Sequence, residues 1–173
     1  MRTLLFTIPL FLVILSACSQ PTSTSTETDF NSNWEFSLDG SDWRPVTLPH
    51  DWSVEYPFDS INGEGCTAYL VGGMGKYHKK FPSSAQPVTY LLFDGVYNRA
   101  TVTLNEQEVG FHPYGYAPIY YDISEQLNPA GQENNLLVEV DRSRYADSRW
   151  FTGSGIYREV RLLEEPALHV PPW

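Results

Sequence analysis

Trp34, Phe36 and Leu38 are separated by Glu35 and Ser37, and this alternation of apolar with polar residues recurs along most of the chain. A period of two puts the apolar side chains on one face of a β-strand, where an amphipathic helix needs a period of about 3.6. Ala100, Val102 and Leu104 alternate with two threonines, and Leu136, Val138 and Val140 alternate with Leu137, Glu139 and Asp141. Ile119, Tyr121 and Ile123 repeat the spacing, and Tyr77, Lys79 and Phe81 keep it more weakly. Ile156 to Leu163 reads the same way, with Val160 and Leu162 inward. Val88 to Phe93 is a nearly continuous apolar and β-branched run, the composition of a strand buried on both faces. Together these segments are seven candidate strands.

Turn residues separate them: Asp39-Gly40, Gly72-Gly73, Asp94-Gly95, Asn105 to Gln107, and Asn128-Pro129-Ala130-Gly131. No stretch has a convincing helical period, apart from one possible turn around Ser124 to Leu127. Many short strands at this spacing imply an all-β, two-sheet sandwich, of which a jelly roll is one arrangement. The alternation says which side chains face inward. It leaves the strand order open.

The N-terminus has a different character. Met1-Arg2 precedes an apolar run from Leu4 to Leu15, about a dozen residues where a membrane-crossing helix needs ~20. A basic flank, a short apolar run and small residues at its end describe an export signal over residues 1–17. The tetrad Leu15-Ser16-Ala17-Cys18 resembles the lipobox of bacterial lipoproteins, which implies lipidation of Cys18 and anchoring of the exported chain to a membrane. An ordinary secretory signal, with Cys18 incidental, is the other reading. Residues 18–29 are mostly Ser, Thr, Gln and Pro, too polar to bury a face, and are expected to form a flexible tether without secondary structure.

Eleven Lys and Arg stand against twenty-one Asp and Glu, a formal charge of −10 that repels a phosphate backbone and argues against nucleic acid as a partner. A neutral ligand such as a sugar meets no such repulsion. With Cys18 lipidated, Cys66 has no intramolecular disulfide partner and is expected to be a small buried hydrophobe. His50, His78, His112 and His169 lack metal-ligand spacing, so neither a metal nor a cofactor is expected.

Several motifs follow one another in a fixed order. Leu48-Pro49-His50-Asp51-Trp52-Ser53 comes first, then Gly72-Gly73-Met74-Gly75-Lys76-Tyr77-His78-Lys79-Lys80-Phe81. Phe93-Asp94-Gly95-Val96-Tyr97 leads into Val102-Thr103-Leu104-Asn105, and Pro113-Tyr114-Gly115-Tyr116 precedes Tyr120-Tyr121-Asp122. Arg149-Trp150-Phe151-Thr152-Gly153-Ser154-Gly155-Ile156-Tyr157-Arg158 closes the series. In this order the set resembles the N-terminal sugar-binding domain of glycoside hydrolase family 2, closest in flavour to its exported β-galactosidase-like members. The resemblance runs from about Phe30 to Trp173 and implies a jelly-roll, galactose-binding-like β-sandwich over residues 30–166, with residues 167–173 starting an interdomain linker.

Two departures from the family pattern stand out. The turn after Leu104 reads Asn105-Glu106-Gln107 where relatives usually carry Asn-Gly, so a longer or looser hairpin is expected. The family also continues into an immunoglobulin-like domain and a barrel bearing two glutamates, whereas this sequence stops at Pro171-Pro172-Trp173. Retaining glycosidases need two carboxyl groups roughly 5–5.5 Å apart. Without the family's catalytic framework, the chain on its own is expected to be inactive.

By resemblance, the loop before Gly153-Ser154-Gly155 contributes sugar contacts, which places Asp147, Arg149 and Trp150 at the substrate. Carboxylate and guanidinium groups can hydrogen-bond sugar hydroxyls, and an indole face can stack on a pyranose. Each has a structural alternative: Trp150 as a core residue, and Arg149 as an ion-pair partner of Asp147 or Glu159. His50-Asp51-Trp52 is read as structural, with Asp51 capping its own backbone and Trp52 packing beneath it. Gly153 and Gly155 are read as serving a tight backbone path, and Tyr114 and Tyr116 as either a stacking platform or a sandwich edge.

The leading functional expectation is therefore the carbohydrate-binding part of a β-galactosidase-like enzyme. A free-standing surface carbohydrate-binding lipoprotein and a docking module for separate hydrolase domains are the alternatives. The docking module requires an apolar patch larger than is usual on a monomer.

Overall fold

The seven alternating segments all contain strands, and three further strands join them among the described residues. The computed structural model describes residues 24–63, 65–143 and 150–172. Its strands are β1 (Thr26–Asp29), β2 (Trp34–Leu38), β3 (Arg44–Val46), β4 (Gly73–Pro82), β5 (Val88–Phe93), β6 (Ala100–Leu104), β7 (Gln107–His112), β8 (Ile119–Asp122), β9 (Glu133–Arg142) and β10 (Val160–Glu165). They form two antiparallel sheets, ordered β1-β10-β5-β8 and β3-β2-β4-β9-β6-β7, with no α-helix among the described residues. From β4 onward the chain repeatedly crosses between the sheets, so most neighbours in a sheet are distant in sequence.

The inward alternation predicted from sequence is the one observed. Phe36, Tyr77, Leu91, Phe93, Val102, Leu104, Val138 and Val140 are buried between the sheets. Burial of each such side chain contributes about 2 kcal/mol. Lys79 takes an inward position in β4 and is buried too. Its amine bonds to the Ser32 carbonyl and lies 4.4 Å from the Phe30 ring centre, so its charge is met by a dipole and an aromatic face.

Three features differ from the sequence reading. Thr26–Asp29, expected to lack secondary structure, forms β1: its exposed side chains bury nothing, and backbone pairing with β10 holds it at the sheet edge. Arg161 of β10 adds an ion pair to Glu27. The hairpin between β6 and β7 is tight, because Leu104 pairs with Gln107 and leaves a two-residue loop. Asn105 and Glu106 both take positive φ, 49° and 67°, the backbone demanded by a type I′ turn, so the missing glycine did not lengthen the loop. Cys66 is exposed, because the short 3₁₀ turn Gly65–Thr67 buries Thr67 instead.

The two other strands absent from the sequence reading, β3 and β7, have no clean period. β3 is three residues long with a proline at the sheet edge, where a missing N–H is tolerated. The β6–β7 register shifts between Val102 and Thr103, which breaks the alternation along β7.

Candidate functional site

Of the residues placed at a sugar by resemblance, Trp150 is 61% exposed. It is therefore a surface residue, and the core alternative falls. Asp147 and Arg149 lie outside the described residues, as do Cys18 and the export signal. What the structure does define is how the two ends of the 144–149 segment are held.

The C-terminal end is fastened to the turn after β3. Trp52 N–H donates to the Ser154 carbonyl at 3.1 Å, and His50 N–H to the Ile156 carbonyl at 2.8 Å. The Asp51 carboxylate crosses the same junction: Oδ1 accepts from the backbone N–H groups of Ser53 and Ser154, each at 3.0 Å. Asp51 thus caps the 3₁₀ turn Trp52–Val54, as its position after His50 predicted, and ties that turn to a distant loop. The Ser53 hydroxyl donates to the Val71 carbonyl at 2.7 Å and meets the Ser154 hydroxyl.

Gly153 and Gly155 supply the backbone path, with φ of +77° and +121°. At Gly155 the space is as restrictive as the angle. A Cβ there would lie 2.2 Å from the Tyr77 hydroxyl and 2.7 Å from the His50 carbonyl. Gly155 also exchanges both backbone hydrogen bonds with Tyr97, each 2.9 Å. The N-terminal end of the segment leaves β9 at Arg142, a buried side chain that donates to the Thr152 hydroxyl at 3.3 Å and so links the two ends.

Beneath the junction lies an aromatic floor. Phe36 stacks on Trp52 with ring centres 5.6 Å apart, and Trp52 packs at 6.4 Å on Tyr77. Gly75 makes room, since a Cβ there would approach the Trp52 ring to 2.3 Å. His50 Nδ1 and the Tyr77 hydroxyl are 2.7 Å apart. Burial holds His50 below its ordinary pKa, opposed by Glu55, whose carboxylate lies 3.2 Å from Nε2. Burial also keeps the Tyr77 phenol well above its ordinary value.

Burial raises the Asp51 pKa, opposed by its two backbone donors. Perturbed carboxyls in a cleft are candidates for acid–base chemistry. Here, however, Asp51 Oδ1 is occupied by backbone N–H groups, and Glu55, the acid that acts on it electrostatically, is bound by Arg44 and His50. The Asp51 shift follows from burial of a carboxylate engaged in structural bonds. Among the described residues no group of three or more His, Cys, Asp or Glu side chains is arranged to hold a metal.

Beside the anchored loop opens a cavity of about 390 Å³, whose lining includes Asn62, Thr67, Gly72, Gly73, Arg142 and Ser143. The sequence marks Gly72-Gly73 as a turn and as the start of a family-like motif, and does not single out Asn62 or Arg142. No local signal distinguishes them, because the cavity is assembled from segments far apart in the chain. Phe151, next to Trp150 in the chain, joins Val54, Tyr56, Phe58 and Leu70 in an open apolar basin of about 510 Å³.

The fold matches known proteins. The family profile "Glycosyl hydrolases family 2, sugar binding domain" matches residues 31–166. The chain is 38% identical over 176 residues to β-galactosidase BoGH2A of Bacteroides ovatus, an alignment covering 92% of this chain and 21% of that protein. It is 35% identical over 178 residues to a putative β-glucuronidase of Formosa agariphila, covering 94% of this chain and 17% of the relative. Among solved structures, a β-glycosidase from Bacteroides vulgatus superposes with a TM-score of 0.72 at 32% identity, over 79% of this chain and 20% of the other. The chain thus spans about a fifth of the length of the relatives it matches. The profile spans most of the sandwich and the relatives agree with it, so the chain belongs to the sugar-binding domain family of glycosyl hydrolases family 2.

Proposed function

We propose that this domain holds a β-galactoside-like sugar through Asp147, Arg149 and Trp150, as the carbohydrate-contacting part of a β-galactosidase-like enzyme. The observation that carries the reading is Trp150, an indole 61% exposed at the edge of a loop pinned on both sides. An exposed indole beside anchored backbone offers an apolar face on which a pyranose can stack. The neighbouring cavity, edged by Asn62, Arg142 and Ser143, offers donors and acceptors for sugar hydroxyls. Bond cleavage is assigned to other parts of such enzymes, since the perturbed carboxyl described here is engaged in loop anchoring.

Titrating the full chain with galactose-terminated disaccharides tests the reading. Binding at about millimolar Kd, or ~4 kcal/mol, is expected for one stacked aromatic site. Trp150→Ala is expected to weaken it about tenfold. A variant that binds as well as the parent overturns the assignment. No turnover of nitrophenyl β-galactoside is expected, and hydrolysis abolished by a single carboxylate substitution would contradict the division of labour.

The motif ending in Cys18 supports a further part of the proposal, that the chain is exported and lipid-anchored. Metabolic labelling with a fatty acid should tag the parent and leave Cys18→Ser unlabelled; label on both would refute anchoring at that residue.

A further inference from the structure

The loop between β7 and β8 reads Pro113-Tyr114-Gly115-Tyr116-Ala117-Pro118, two tyrosines set among small or rigid residues. Tyr114 is 58% exposed and Tyr116 is 42% exposed. Their rings meet edge to face, with centres 5.6 Å apart, and Tyr116 stands in the same way on the buried Tyr97 at 5.3 Å. The side chains beside them are short, so the rings project from the loop.

The loop carrying them is fixed at its midpoint. Gly115 is pressed onto Tyr97, where a Cβ would lie 2.2 Å from the ring. The Tyr157 hydroxyl donates to the Gly115 carbonyl at 2.8 Å. Tyr97 is in turn locked to Gly155 by a pair of backbone hydrogen bonds, each 2.9 Å. Prolines at both ends further restrict the backbone. Aromatic rings presented this way lose little entropy on binding.

We infer that Tyr114 and Tyr116 form a second stacking surface for a neutral pyranose, distinct from the Trp150 loop. The ring faces suit the apolar C–H face of a sugar, and the phenol hydroxyls can exchange hydrogen bonds with its hydroxyls. A second surface favours longer chains, because two subsites engaged by one molecule add avidity. The inference rests on the sugar-binding character of the family and is independent of the role proposed for Trp150.

Calorimetric titration of the full chain with β-1,4-galactotetraose tests it, comparing the parent with Tyr114→Ala/Tyr116→Ala, Tyr114→Phe/Tyr116→Phe and Trp150→Ala. The double alanine variant is expected to bind about tenfold more weakly, and the double phenylalanine variant to keep most of the affinity. Melting curves confirm that each variant is folded. Tetrasaccharide affinity unchanged in the double alanine variant overturns the inference; if Trp150→Ala is weakened in the same experiment, the Trp150 reading survives it. The opposite pattern supports the tyrosine surface and removes Trp150. A parent that binds no tetrasaccharide overturns both.

Discussion

Asp51 Oδ1 accepts a hydrogen bond from the backbone N–H of Ser154, 103 residues later in the chain, at 3.0 Å. The same oxygen accepts from Ser53 N–H at 3.0 Å. One carboxylate therefore caps a local turn and fastens the loop that presents Trp150. The positioning of the candidate sugar contact depends on a residue that need not touch sugar.

Asp51→Ala removes the shared acceptor and leaves two N–H donors to find water or stay unpaired. A loss of about 2–3 kcal/mol in unfolding free energy is expected from such charge-assisted bonds. Asp51→Asn keeps an acceptor at Oδ1 and should lose less. Chemical denaturation measures both, and an alanine variant as stable as the parent would show that the bridge contributes nothing.

His50 gives a pH dependence with a defined sign. Burial keeps its native pKa below the ordinary 6.5, so the native chain stays neutral where the unfolded chain takes up a proton. The unfolded state then binds more protons, and stability falls as pH drops below 6.5 through the depressed native value. His50→Gln should flatten that slope, whatever its effect on stability at neutral pH. Denaturation midpoints at a series of pH values decide the matter, and parallel profiles for the two proteins would refute this source of the dependence.

Gly155 and Gly131 both have positive φ, +121° and +80°, but their surroundings differ. A Cβ at Gly155 meets the Tyr77 hydroxyl at 2.2 Å, while one at Gly131 meets nothing within 4 Å. Gly131→Ala should cost only the left-handed backbone term, about 1 kcal/mol. Gly155→Ala adds a collision with buried groups and should cost more than about 3 kcal/mol. Equal losses in thermal or chemical unfolding would mean that the junction yields easily.

The β6–β7 turn carries Glu106 at φ 67°, a conformation that favours glycine. Glu106→Gly should stabilise the domain by up to about 1 kcal/mol, less whatever entropy the unfolded chain gains. Asn105 is the opposite case. Its side chain bonds to the Gln126 carbonyl, Asn134 Oδ1 and the Asn135 N–H, so Asn105→Gly should destabilise. A glycine at 106 that lowers the melting temperature would argue against backbone strain in this turn.

Much of the fold is legible in the residues themselves, and the structure shows where that legibility stops. Val88–Phe93 and Ala100–Leu104 form strands at the predicted residues, because their alternation or continuous apolarity is enforced by burial on one or both faces. Thr26–Asp29 escaped notice because it buries nothing and is specified by its partner's free edge. Cys66 was misread because its type favours burial, whereas a three-residue turn decided which neighbour faces inward.

The sequence by itself determined the class of fold, the inward faces and the family, because strand periodicity and ordered motifs are local properties of the chain. Only the tertiary structure decided the strand order, the meeting of Asp51 with Ser154 and the exposure of Trp150, Tyr114 and Tyr116. Alternation states which way a side chain points but not which strand it will oppose. That choice is made by the summed packing and hydrogen bonding of segments that can lie more than a hundred residues apart, which leaves no mark at either position alone.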